Sequence, residues 1–218
     1  MKIILASKSP RRKEILESLG INFEIIVSDI DESSSVDDPA ELVCLLSERK
    51  GTAVAKIAAE KFKNQHLIVI SSDTVVACEN CITCNSSGKF PIKQKNEIFG
   101  KPTDKEDAER MLRSLSGRTH KVFSGISLTS VSKNGEIKTF TDFESTCVTF
   151  KKMSDSDIGL YLSHENVLDK AGAYAIQGMA SLWIDSINGN YFNVVGLPVN
   201  KLVPLARKAG LEISDLIK

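Results

Sequence analysis

The sequence predicts an α/β protein, and two observations carry that prediction. Short apolar runs, Ile3 to Ala6 and Leu67 to Ile70, each give way to a polar turn, as buried strands of an α/β sheet do. Longer segments between and after them repeat apolar residues at helical spacing and open on capping residues, the pattern of helices packed on a sheet.

In order along the chain, Ile3 to Ala6 reads as a buried strand, after which Ser9 caps a helix whose first residue is Pro10, where a missing N–H costs least. Ile15, Leu16 and Leu19 form its inner face, and Gly20 suits its stop. Phe23 to Val27 alternates like a strand and leads into an acidic stretch, Asp29, Asp31 and Glu32. Asp38-Pro39-Ala40-Glu41 has the form of a capping box and starts a long helix carrying Leu42, Leu45, Leu46, Ala53, Val54 and Ile57, with Lys50 on it. The strand Leu67 to Ile70 ends at Ser71-Ser72-Asp73-Thr74, which puts Asp73 at a strand's carboxyl end, where α/β sheets place ligands.

Residues 78–99 are polar and rich in Cys, Asn, Ser and Lys, and read as an exposed irregular excursion. Thr103-Asp104-Lys105-Glu106 reads as a second capping box, for a helix with Ala108, Met111, Leu112 and Leu115 that stops at Gly117. Val122 to Leu128 and Ile137 to Phe150 read as strands of a hairpin turning near Asn134-Gly135. Ser154 caps a short helix with Ile158, Leu160, Tyr161 and Leu162, and Asp169 to Tyr174 forms a glycine-containing loop. Asn188-Gly189, between Leu182 to Ile187 and Tyr191 to Val195, is the strongest short hairpin signal. The last helix begins near Pro198. No internal repeat interrupts the pattern, and residues 1–218 read as a single folding unit.

Twenty-eight basic and 28 acidic residues cancel, which excludes the global field that nucleic-acid and membrane-surface binders carry. An anionic ligand must then be held by a local cluster. No apolar run approaches the roughly 20 residues of a membrane span, and the N-terminus turns polar too soon for a signal peptide, so a cytoplasmic protein is expected. Cys44, Cys78, Cys81, Cys84 and Cys147 are odd in number, which favours reduced thiols. Cys78, Cys81 and Cys84 stand in a spacing compatible with zinc but lack a matching second pair, so free thiols are the preferred reading there.

A strand that ends in Ser7 and turns through Ser9 into a helix starting Pro10-Arg11-Arg12 gathers backbone N–H groups, hydroxyls and two guanidiniums, the elements of a phosphate site. An ordinary capped helix with solvated arginines presents the same letters. Asp73 follows two apolar residues and two serines, and a desolvated carboxylate needs a cation, a metal or a polar network. General base, magnesium ligand and turn cap all remain open for it. Lys50 and Lys101 are candidates for neutralising phosphate charge, the latter fixed between Gly100 and Pro102; Lys170, in Asp169-Lys170-Ala171-Gly172-Ala173-Tyr174, has a similar setting. His66, His120 and His164 are scattered, and neither a P-loop nor a dinucleotide fingerprint occurs.

Taken in order, Leu5-Ala6-Ser7-Lys8-Ser9-Pro10-Arg11-Arg12 with Glu14-Ile15-Leu16, Asp31-Glu32, Lys50, Ser72-Asp73-Thr74, Gly100-Lys101-Pro102, Leu115-Ser116-Gly117, Asp169 to Tyr174, Ile176-Gln177-Gly178 and Val195-Gly196-Leu197-Pro198 run nearly end to end. This series resembles the Maf family of nucleotide pyrophosphatases. The resemblance implies a fold similar to the inosine triphosphatases: an elongated mixed sheet with two lobes flanking a central cleft. It also implies dependence on Mg2+ or Mn2+, and a homodimer.

By the same resemblance Asp73 is the proton acceptor, Glu32 and Asp73 hold the metal, and Lys50 and Lys101 offset phosphate charge. Ser7, Ser9 and Arg12 are the implied phosphate holders, and Lys170 is a further substrate-binding residue. Substrate choice in the family goes with three positions, which read Arg11, Thr74 and Gln177 here, as in the branch acting on dTTP and UTP. The branch acting on 7-methyl-GTP tends to carry tryptophan, glutamine and glutamate. A neutral amide such as Gln177 both donates to and accepts from a uracil or thymine edge. The expected partner is therefore a pyrimidine nucleoside triphosphate, ordinary or modified, with no nucleic acid and no membrane. A 7-methyl-GTP pyrophosphatase and a nucleotide-binding cell-division regulator with vestigial activity are the alternatives. Residues 78–99 depart from the family as a longer insertion.

Overall fold

A computed structural model describes residues 1–82 and 94–217 of the chain. Its elements are β1 (Lys2–Leu5), α1 (Pro10–Ser18), β2 (Glu24–Ile25), α2 (Pro39–Lys61), β3 (Leu67–Ile82), β4 (Gln94–Phe99), α3 (Lys105–Leu115), β5 (Thr119–Val131), β6 (Ile137–Phe150), α4 (Asp155–His164), β7 (Ile184–Asn188), α5 (Tyr191–Val195) and α6 (Leu202–Lys208). The α/β expectation holds, with seven strands in one sheet among the described residues. The order is β2-β1-β3-β5-β6-β7, and β4 pairs with β3 off that path. β1 lies parallel to β2 and to β3, with Lys2 opposite Leu67 and Leu5 opposite Ile70; β4 on β3 and β7 on β6 are antiparallel. Among the described residues no helix is long and apolar enough to cross a membrane.

The chain divides into two compact units. The first comprises Met1–Asp73, Ser124–Glu144 and Gly196–Lys218, and the second Thr74–Phe123 and Ser145–Val195. In the first, Val54, Ala55 and Ala58 of α2 pack with Ile4, Leu67, Val69 and Val131. In the second, Ala108, Met111, Leu112 and Leu115, one face of α3, pack with Val76, Phe99, Val122, Phe150 and Tyr161. Each fully buried Leu or Ile contributes roughly 1.5–3 kcal/mol relative to exposure.

Helix ends follow local chemistry closely. Asp38 accepts from the backbone of Ala40 and Glu41 at the start of α2, and Ser154 with Asp157 completes a capping box on α4. The cap of α3 is Asp104, one residue later than the sequence suggested. Its carboxylate accepts from Asp107 N (2.8 Å), while Asp107 accepts from Thr103 N (3.1 Å). An aspartate at the third helical position thus takes the reciprocal role expected of Glu106.

Four further expectations are corrected. Asp73 does not end a strand, because β3 runs on to Ile82. Ser71 and Ser72 are carried inside it because their hydroxyls are satisfied: Ser71 Oγ donates to Ser47 O (2.7 Å), and Ser72 Oγ to Gly125 O (2.7 Å) and Gly196 O (2.9 Å). Beyond Asp73, pairing passes to β4, from Val76 opposite Phe99 to Ile82 opposite Gln94. Residues 78–82 and 94–99 are therefore strand, not irregular excursion; the middle of that stretch, and Cys84 with it, lies outside the described residues.

Asn188-Gly189 is not a hairpin turn. β7 pairs with β6, and Tyr191–Val195 is helical because Asn190 Oδ1 accepts from Asn193 N (3.1 Å), a helix cap. Cys44 and Cys147 are free thiols. Cys78 is disulfide-bonded, which corrects the expectation of reduced thiols at that position; it sits buried in β3 opposite Glu97, not in a loop.

Candidate active site

The first unit builds its site at the end of β1. Ser7 is buried there, and its Oγ accepts from Ser9 N (3.2 Å) and Arg12 Nη1 (3.3 Å). Pro10 sits in the first turn of α1, and the Ser9 side chain makes no capping bond. The Ser9 hydroxyl is thus not spent on a cap of its own helix, and a helix N-terminus is a setting in which anions bind.

Arg12 is fixed by three acceptors. Besides Ser7 Oγ, its Nη1 donates to Ser72 O (2.7 Å) and its Nε to Gly196 O (2.8 Å). Gly196 O also accepts from Ser72 Oγ (2.9 Å), so one carbonyl ties Arg12 to β3. Burial lowers the guanidinium from its ordinary value, and the nearby Asp73 carboxylate works against that shift.

Asp73 is buried and forms a salt bridge through Oδ1 with the Lys50 ammonium. Lys50 also meets Glu32 Oε1 at 2.9 Å. The three side chains grade outward: Asp73 is 11% exposed, Lys50 16% and Glu32 52%. The arrangement is thus an inner acid, a cation and an outer acid.

Two features place Lys50. Its neighbour Gly51 presses α2 onto the sheet, since a Cβ there would lie 2.6 Å from Ser71 Oγ and 2.8 Å from Thr129 Oγ1. One turn earlier, Ser47 O takes the Ser71 hydroxyl. Glu32 is placed by its own loop. Asp31 accepts from the Ser33 hydroxyl and backbone, which hold its carboxyl below the ordinary range, and Arg49 Nη1 donates to Ser33 O (2.9 Å). The lysine and the outer acid are therefore set by adjacent residues of one helix.

Among the described residues no group of three or more His, Cys, Asp or Glu is placed to hold a metal ion. The pair does suit a hard divalent cation, because Glu32 and Asp73 direct carboxylate oxygens at one positive centre, the Lys50 ammonium. Mg2+ is commonly held by one or two carboxylates with substrate phosphates and water completing the shell.

Thr74, Lys101, Gln177 and Lys170 belong to the second unit. Thr74 follows Asp73 in β3 and is half-buried. Lys101 is exposed beside the buried Pro102, and Gln177 is exposed. Lys170 differs from them. It is buried, its ammonium donates to Asn166 O and to Asp169 Oδ1 (2.9 Å), and it lies 3.9 Å from Glu165 Oε2.

The structure therefore joins Ser7, Arg12, Lys50, Asp73 and Glu32 into one connected set. Ser9 stands at the head of α1 and a half-buried Arg11 in its first turn. Sequence reading missed Gly196, which acts through a backbone carbonyl; its only signal was its place in Val195-Gly196-Leu197-Pro198. It also missed Ser71, Ser47 and Arg49, which position the chemistry without performing it.

A helix N-terminus whose Ser9 hydroxyl is not spent on a cap, in the same unit as an acid pair bridged by lysine on an α/β sheet, suits a protein that binds a polyphosphate ester. The model of the family described as Maf-like protein matches residues 2–209. The chain belongs to the Maf family. It is 42% identical over 208 residues to a dTTP/UTP pyrophosphatase of Thermoanaerobacter sp., covering 95% of this chain and 96% of that one. It is 44% identical to a dTTP/UTP pyrophosphatase of Caldanaerobacter subterraneus subsp. tengcongensis, covering 95% and 89%. Among solved structures, the Staphylococcus aureus Ham1 protein matches 69% of this chain and 72% of its own at 15% identity and a TM-score of 0.36, too distant a likeness to bear on the reading.

Proposed function

We propose that this protein hydrolyses pyrimidine nucleoside triphosphates, dTTP and UTP, to the monophosphate and pyrophosphate. The observation that carries the reading is the Asp73–Lys50–Glu32 chain in the same unit as the N-terminus of α1 and Arg12. The names of the full-length relatives, dTTP/UTP pyrophosphatase, point to the same substrates.

In this reading Ser7, Ser9 and the first N–H groups of α1 receive the phosphates. Asp73 takes a proton from water as the water oxygen bonds to the α-phosphorus; the bond from that phosphorus to the bridging oxygen breaks, and pyrophosphate leaves with its electron pair. Lys50 turns from the acids toward the charge that develops on the phosphates, and the exposed Lys101 adds to it. Glu32 and Asp73 would hold Mg2+ or Mn2+, which would supply Lewis-acid neutralisation of the phosphate oxygens. Arg12, already committed to Gly196, Ser72 and Ser7, acts mainly as a fixed positive wall.

Arg11, Thr74 and Gln177 select the base and its sugar; the amide of Gln177 matches the mixed donor and acceptor edge of uracil or thymine. The internal partners of Lys170 support a role in holding its loop, so that it serves substrate binding through the loop. The same reading includes a homodimer acting in the cytoplasm on free nucleotides, on the strength of family resemblance and balanced charge.

A panel of nucleoside triphosphates incubated with Mg2+ or Mn2+, with products identified by chromatography, tests the function. UMP or dTMP with pyrophosphate is expected. Orthophosphate release, or no turnover of any pyrimidine triphosphate, contradicts it.

A further inference from the structure

The scattered histidines carried no function in the sequence, yet one of them is unusually placed. His120 of β5 is 2% exposed, and its Nε2 lies 2.7 Å from the Tyr174 hydroxyl. The two rings meet edge to face with centroids 5.4 Å apart, and Phe150 packs edge-on against both, at 5.2 and 4.8 Å. His120 Nδ1 is buried without a hydrogen-bond partner in the structure. A phenylalanine would fill this aromatic pocket without that cost, so the bond to Tyr174 is the feature a histidine adds. Burial pushes the ring's pKa down to about 3, so it is neutral at working pH.

Tyr174 ends a backbone that needs holding. Gly172 and Ala173 are both left-handed, with φ of 67° and 64°, and the second is a conformation that alanine adopts only under constraint. Gly172 N donates to Gly100 O (3.0 Å), and a Cβ on Gly172 would lie 2.8 Å from Val76 Cγ2. Upstream, Lys170 is gripped by Asn166, Asp169 and Glu165; downstream, Glu165 Oε1 accepts from Met179 N (3.3 Å). Between these clamps the His120–Tyr174 bond is the side-chain anchor, and the exposed Gln177 follows three residues later.

We propose that His120 is a positioning residue: through Tyr174 it fixes the strained loop that presents Gln177, and so sets how sharply the enzyme separates pyrimidine from purine triphosphates. This rests on the reading of Gln177 as the base-selecting residue.

Tyr174→Phe and His120→Phe remove the bond while keeping an aromatic ring, and His120→Gln retains an amide able to replace it. Each of the two Phe variants raises KM for UTP about tenfold with kcat within about threefold, and narrows the UTP-over-GTP ratio of kcat/KM about tenfold. The double Phe variant is no worse than either single one, as expected of two groups acting through one bond. His120→Gln recovers most of the discrimination.

Variants that lower Tm but leave KM and the UTP-over-GTP ratio unchanged, or a double variant whose losses add, overturn the proposal and leave His120 a core residue. Binding of non-hydrolysable UTP and GTP analogues, followed by calorimetry, reads the same discrimination without turnover. A wild-type protein that binds and discriminates these analogues but does not turn over pyrimidine triphosphates contradicts the proposed activity alone. Unchanged discrimination in the variants contradicts the role of His120 alone.

Discussion

Arg12 and Gln177 show two ways of equipping a site. Arg12 has its guanidinium committed to Gly196 O, Ser72 O and Ser7 Oγ, and around it Asp73, Lys50 and Glu32 are engaged with one another. Gln177 stands exposed; what is held in its unit is the backbone, through Gly172 to Gly100 and Tyr174 to His120. The first unit therefore carries charges already fixed in place, as transition-state stabilisation requires. The second carries side chains open to a ligand on a clamped loop, as selection requires. On the proposed reading, chemistry at Asp73 and choice at Gln177 are separable, and variants at these two residues should fail differently.

The largest effect is expected at Asp73. Asp73→Asn removes the proton acceptor and lowers kcat about 10³-fold with little change in nucleotide affinity; equal loss in kcat and in binding would break the division of labour. Lys50→Met comes next. It lowers kcat about 10²-fold and, by leaving Asp73 buried beside no ammonium, costs about 3 kcal/mol in urea unfolding, the lower end for a broken buried pair because the bridge opens toward solvent.

Gln177→Glu sharpens the contrast from the other side: kcat for the preferred nucleotide stays within a few-fold while KM for UTP rises about tenfold, since a carboxylate can only accept. A fall in kcat as deep as that of Asp73→Asn would show that Gln177 belongs to the chemistry.

A separate effect, on stability alone, is one of pH. His120 has a folded-state pKa of about 3, depressed from 6.5 by burial, so below 6.5 the unfolded chain binds a proton that the folded chain does not. Its stabilising contribution is complete above pH 6.5 and is lost as pH falls toward 3, at up to about 1.4 kcal/mol per unit. Urea unfolding at pH 7 and pH 5 should show this slope in the wild type and a shallower one in His120→Phe.

Much of the first unit was legible because its signals are local. Pro10 after Ser9, Asp38 before Pro39 and apolar Leu67 to Ile70 each fix their element with nearby residues. The failures share a physical cause, a partner distant in sequence. Asp73 reads as a strand end because Ser71 and Ser72 look like a turn, yet Ser47, Gly125 and Gly196 satisfy their hydroxyls. Asn188-Gly189 reads as a hairpin because the cap supplied by Asn190 and the buried bonds of Asn193 to Val122 O and Thr146 Oγ1 are invisible locally. Gly196 contributes a carbonyl, which no side-chain pattern announces. His120 is silent in sequence because its meaning lies wholly in burial and in Tyr174.

The most direct test of the central claim is hydrolysis of UTP in water labelled with oxygen-18, with mass spectrometry of both products. Attack at the α-phosphorus places one labelled oxygen in UMP and none in pyrophosphate, and Asp73→Asn should slow the appearance of labelled UMP about 10³-fold. Label in pyrophosphate with unlabelled UMP would place the attack at the β-phosphorus and contradict the account.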